Sequence, residues 1–167
     1  MKKIIPNSII AIFISSSLLL ANCNSIKESN FILKEDKAYD KVTKLTWKRC
    51  SIGSKWKKGT GCVGMPKNLY FDEATKLAKE VANGWRIPTI DELYSISGKE
   101  CKENTINTTV FPDIKDMPVF APYWSISPLE NMPNLIYYID FVNNHVDVHS
   151  KGYSMFIRLV RSPDDKK

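Results

Sequence analysis

The sequence predicts an α+β domain in which two helices precede a run of antiparallel strands, with long loops, and three observations carry that prediction. Phe71, Ala74, Leu77, Ala78 and Val81 recur at the spacing that lines one face of a helix. Thr89-Ile90-Asp91-Glu92 has the form of a capping box, the signature of a helix start. In the last third, apolar and polar residues alternate on either side of Asn143-Asn144, a pair suited to the positive φ angles of a tight hairpin.

The elements follow in chain order. Residues 31–34 and 45–50 read as strands on either side of a turn near 40–44. The first helix opens at Phe71, carries Lys76, Lys79 and Glu80 outward, and ends at Gly84, a residue suited to a helix C-cap. The second helix starts behind Thr89, buries Ile90, Leu93 and Ile96, and stops at Gly98. Residues 99–122 hold Pro112, Pro118 and Pro122 with little periodicity, which predicts a long irregular loop, either functional or packed on itself. Strands are expected at 123–127, 136–142, 145–149 and 156–161; the last alternates apolar and basic residues as a half-buried strand does.

Composition and termini bound the function. The chain has 167 residues, 43% of them apolar and 25% charged, which suits one domain and excludes extended disorder or collagen-like repetition. Lys2 and Lys3 precede an apolar stretch over 9–21, too short for a comfortable permanent span, so 1–22 reads as a removable leader. Leu19-Leu20-Ala21-Asn22-Cys23 resembles a lipobox, with Asn22 where a small residue is usual, and places a lipid on Cys23. The other reading is an ordinary secretory leader that leaves Cys23 free for a disulfide. Loss of Lys2 and Lys3 lowers the formal charge from +6 to +4, a mild surplus that favours an acidic partner only slightly. The expected plan is leader 1–22, lipidated tether 23–30, domain 31–162 and polar tail 163–167, in the cell envelope at the outer membrane or surface. That compartment excludes nucleic acid as a partner.

An oxidising compartment makes disulfides available. With Cys23 lipidated, Cys50, Cys62 and Cys101 remain; Cys50 and Cys62 flank a turn-rich loop holding Gly53, Gly59 and Gly61. Closing it would remove about 3 kcal/mol of unfolded-state entropy, so Cys50–Cys62 is the expected bond and Cys101 the thiol left over. Zinc is the competing reading, and the spacing without a nearby His matches its ligand patterns poorly.

Several residues are candidates for chemistry. Lys55, Trp56, Lys57 and Lys58 place an indole among ammonium groups, a pattern that suits sugars and sulfates, carboxylates or phosphates; Trp47, next to Lys48 and Arg49, is expected in the core. His145, Asp147 and His149 fall on one face of a strand with Val146 and Val148 inward. Those two His lie about 13 Å apart. They cannot share one ion at about 2.1 Å, so the solvated face of an amphipathic strand is the expected reading and no metal is expected; Asp147 with one His and distant ligands is the alternative. Trp85 is expected in the core, with Arg86 bonded to a carboxylate or to backbone carbonyls. No nucleophile elbow, zinc-protease or phosphate-loop motif occurs, so neither a catalytic site nor a cofactor is expected.

Leu45-Thr46-Trp47-Lys48-Arg49-Cys50, then Gly84-Trp85-Arg86-Ile87-Pro88-Thr89-Ile90-Asp91-Glu92-Leu93, Val110-Phe111-Pro112, Tyr123-Trp124-Ser125 and Phe156-Ile157-Arg158-Leu159-Val160-Arg161 occur in that order. Together they resemble the Lcl C-terminal domain family over about 39–162, and Cys50 and Cys62 around Trp56 are similar to a common subgroup of it. The resemblance implies a C-type-lectin-like or formylglycine-generating-enzyme-like fold, with two helices packed on a twisted antiparallel sheet and long loops; most members of the family have no known activity, and the founding domain binds sulfated polysaccharide. The expected function is a lipid-anchored envelope or surface module that binds carbohydrate or polyanionic glycan. The alternative is a structural envelope lipoprotein that contacts other envelope proteins.

Overall fold

The computed structural model describes residues 27–81, 83–98, 106–115, 117 and 119–165. The leader, Cys23 and Cys101 lie outside these residues. Among the described residues no helix is long and apolar enough to cross a membrane.

The architecture is mostly β, built from four small antiparallel sheets. This corrects the expected C-type-lectin-like arrangement of two helices on one twisted sheet. Strands β1 (Phe31–Lys34), β2 (Lys37–Asp40), β3 (Thr46–Lys48) and β11 (Val160–Arg161) form the first sheet, in that order. Strands β4 (Lys55–Lys57) and β5 (Gly61–Val63) make a separate hairpin, and β6 (Leu69–Tyr70) pairs with β10 (Ser154–Met155). Strands β7 (Pro122–Leu129), β8 (Met132–Asp140) and β9 (His145–Ser150) form the largest meander. One α-helix of ten residues, α1 (Phe71–Glu80), one of six, α2 (Ile90–Ser95), and three short 3-10 helices accompany them among the described residues. Periodicity marks strands but not their partners, which is why the division into four sheets was not legible.

Local chemistry explains the elements. Asp40 closes the β2–β3 turn by accepting from the Val42 amide at 2.8 Å and the Thr43 hydroxyl at 2.7 Å. The Thr89 hydroxyl accepts from the Glu92 amide and Glu92 accepts from the Thr89 amide, so the capping box is present as expected. Strands β2, β4, β5, β6 and β10 are not among the expected ones; all are two to four residues long, too short for alternation to show.

The core has two parts, and β7 feeds both. Successive residues of a strand face opposite sides. Tyr123 joins Trp47, Phe111, Ile139 and Phe141 on one side, and Trp124 joins Phe71, Trp85, Ile136 and Ile157 on the other. A strand buried on both faces loses its polar alternation. Residues 106–115, expected to be an irregular loop, contribute buried Ile106, Val110, Phe111 and Ile114 to the first part. Asn107 starts that segment by accepting from the Thr109 and Val110 amides.

The last strand departs most from expectation. Only Val160 and Arg161 join a ladder; before them, the Ile157 and Leu159 carbonyls accept from the Ile52 and Lys48 amides. Arg158, read as an outward residue of a half-buried strand, is fully buried. Its guanidinium donates to the Lys48 and Arg49 carbonyls at 2.9 and 2.6 Å, to Ser51 Oγ at 3.1 Å and to Asp113 Oδ1 at 2.6 Å. It also lies 4.7 Å over the Phe111 ring. Burial opposes its charge, but Asp113 beside it outweighs that and raises its pKa. Burial pushes the Tyr123 phenol, which shares the site, up to about 12, so it stays neutral.

Removing one partner of this pair strands a buried charge. Asp113→Ala is expected to lower unfolding free energy by about 3–5 kcal/mol in urea titration. Asp113→Ala with Arg158→Met is expected to cost less than the two single changes added together, because the double variant leaves no lone charge.

Candidate functional site

Between Asp40 and Asp72 the chain has no acidic residue and eight Lys or Arg, the strongest charge bias in the sequence. The hairpin β4–β5 lies within this stretch. Cys50 and Cys62 are disulfide-bonded, as expected, with Cα atoms 5.6 Å apart, which ties β5 to the end of β3. At the base of the arm Gly53 has φ +101, and a Cβ there would meet the Lys67 amide and the Met65 carbonyl at 2.7 Å, so only glycine fits. Gly59 and Gly61, both at positive φ, form the tip.

The expected cluster of Lys55, Trp56, Lys57 and Lys58 divides in two. Strand alternation sets Lys55 and Lys57 on the face opposite Trp56. Trp56 is half-buried and its ring is covered by the Arg49 guanidinium, 4.1 Å from the ring centre. Arg49 is held there by bonds to the Glu35, Thr109 and Val110 carbonyls at 2.8–3.1 Å. Trp56 therefore anchors the arm through the face that Arg49 covers and lies on the side of the strand away from Lys55 and Lys57. Lys55, Lys57 and Lys58 are exposed, and among the described residues none has a carboxylate partner.

Trp85 and Arg86 take the expected structural places. Trp85 is buried and carries two cations, with Lys48 Nζ 4.7 Å and the Arg161 guanidinium 4.8 Å from its ring centres. Arg86 donates two bonds to Glu92 at 2.7 and 2.8 Å, while Glu92 also caps α2. Burial would raise the Glu92 pKa, but bonds from Arg86 and Thr89 outweigh it and hold the carboxyl below its ordinary value.

The strand 145–149 is observed as β9, but its inward face is thinner than expected: Val146 is 37% exposed. His145 Nε2 lies 3.5 Å from Asp147 Oδ2. Asp147 accepts from the Val148 amide at 2.8 Å, and that bond above all lowers its pKa. Among the described residues no group of three His, Cys, Asp or Glu side chains could hold a metal ion.

Register carries this face into a cleft that the sequence did not suggest. Ile136 lies opposite His149, Tyr138 opposite Asp147, and Asp140 opposite His145. Tyr138, Asp140 and His149, with Phe120, Pro122, Tyr153 and Met155, line a cavity of ≈ 210 Å³. His149 and Tyr153 rings stack at 4.3 Å with 30° between planes. Phe120 and Tyr153 are exposed and far apart in sequence, which is why no motif could have joined them.

The family model for the Lcl C-terminal domain matches residues 36–161. No curated protein and no solved structure matches the chain.

Two measurements test this geometry. Replacing Cys50 and Cys62 by Ala is expected to lower stability by about 3 kcal/mol in chemical denaturation, the entropy of the opened loop. Because the folded pKa of Glu92 is depressed, its stabilisation is present above its ordinary value near 4.5 and is lost as pH falls through the lower folded value. The stability difference between the wild type and Glu92→Gln is therefore expected to be largest near neutrality and to shrink below pH 4.5.

Proposed function

The chain belongs to the Lcl C-terminal domain family, and from that premise we propose that it is a lipid-anchored binding module of the cell envelope whose β4–β5 arm engages a polyanionic glycan. The observation that carries this reading is the set of three exposed ammonium groups, Lys55, Lys57 and Lys58, on a hairpin fixed by a disulfide and by the Arg49–Trp56 stack. A fixed arm meets a polymer without first losing conformational freedom. Unpaired lysines attract sulfate or carboxylate groups without first breaking an ion pair. Sulfated polysaccharide is what the founding domain of the family binds, and the mild surplus of +4 that remains without Lys2 and Lys3 agrees with it. Cys23 supplies the membrane tether, and the described domain performs the recognition.

Heparin-affinity chromatography tests the proposal. The protein is expected to be retained at low salt and released as salt screens the contact. The triple variant Lys55→Ala, Lys57→Ala, Lys58→Ala is expected to elute much earlier at an unchanged melting temperature. Equal retention of the two proteins would refute the role of the arm.

A further inference from the structure

The cleft against β8 and β9 has a chemistry that the basic arm lacks. Its walls are aromatic: Phe120, Tyr138, Tyr153 and the ring of His149. Asp140 lines the same cavity and is 7% exposed. Its Oδ1 accepts from the Ala121, Val142 and Asn143 amides, and its Oδ2 from Asn143 Nδ2 at 2.6 Å. The carboxylate is thus satisfied in hydrogen bonds, yet among the described residues no cation pairs with it. Lys151, the nearest lysine in sequence to Tyr153, lies 5.5 Å over the Phe71 ring.

We propose that this cleft binds a small quaternary ammonium of the choline type, with Phe120, Tyr138 and Tyr153 around the cation and Asp140 supplying the opposing charge. Four observations favour that ligand. Ring faces present negative potential to a cation, and a carboxylate with no ion-pair partner adds to it. The Tyr138 hydroxyl reports the same field: burial first, then the charges of Asp147 and Asp140, raise its pKa. Asp140 already accepts four hydrogen bonds from the protein, three of them on Oδ1, so it offers charge more than directional bonds; a cation without N–H donors needs only the former, whereas a sugar needs the latter. The volume of ≈ 210 Å³ also falls below the roughly 300–1,000 Å³ of pockets for larger ligands. The proposal is independent of the glycan reading, because none of the arm lysines lines the cleft.

Calorimetric titration with choline chloride at constant ionic strength tests it. The control ligand is choline's neutral isostere, in which a tert-butyl group replaces the trimethylammonium. Choline is expected to bind saturably, and the isostere about tenfold more weakly or worse. Phe120→Ala and Tyr153→Ala, both at exposed positions, are each expected to weaken choline about tenfold while leaving the melting temperature and heparin retention unchanged. Additional binding to phosphatidylcholine vesicles would identify a lipid headgroup as the source of the cation; binding to free choline alone would identify a soluble one. Equal affinity for choline and its isostere, no saturable choline binding, or binding of a neutral monosaccharide in its place would overturn the assignment.

Discussion

The buried pair Arg158–Asp113 is the constraint around which the domain is arranged. A guanidinium removed from water must find a counter-charge and acceptors for its donors, or its burial is prohibitively unfavourable. Here the acceptors are the carbonyls of Lys48 and Arg49, the Ser51 hydroxyl and the Asp113 carboxylate. Those groups come from the end of β3, the start of the disulfide loop and the segment 106–115. One side chain near the C-terminus therefore sets the positions of three parts of the chain distant in sequence. Asp113 also accepts from the Ser51 amide, so the same carboxylate fixes the origin of the basic arm.

From that point the arm is built outward by covalent and aromatic contacts. The disulfide holds Cys62 against Cys50, and Arg49 turns back over Trp56 while its donors hold the carbonyls of 109 and 110. Two arginines with buried contacts thus have opposite placements: Arg158 inside the core and Arg49 between the core and the arm. Both tie the segment 106–115 to the first sheet, which explains why a stretch of weak periodicity is well packed.

The β7–β8–β9 meander plays the other organising role. Because it is covered on both faces near Tyr123 and Trp124, it separates two clusters of apolar residues and leaves its β9 edge outside. The aromatic cleft forms where that edge meets the turn carrying Tyr153 and the segment carrying Phe120. Position in the sheet, more than residue type, decides that Tyr138 and His149 face a cavity.

Some of this was legible in the chain itself. The capping box at Thr89, the face of α1, the hairpin at Asn143-Asn144, the Cys50–Cys62 bond and the family rest on local spacing or on short ordered motifs, and local signals survive in any tertiary context. The four-sheet division, the burial of Arg158 and the union of Phe120, Tyr138 and Tyr153 depend on contacts between residues tens of positions apart. A charged residue in an alternating run reads as exposed until its partner is known, and Asp113 lies 45 residues from Arg158. The sequence by itself determined the longer strands of the meander, the two helix starts and a cross-linked basic loop, because those choices follow from the period of side chains along the backbone and from short local motifs. Only the tertiary structure decided which strands pair, which charge is buried and which rings share a cleft, because those outcomes are settled by desolvation and packing between distant segments.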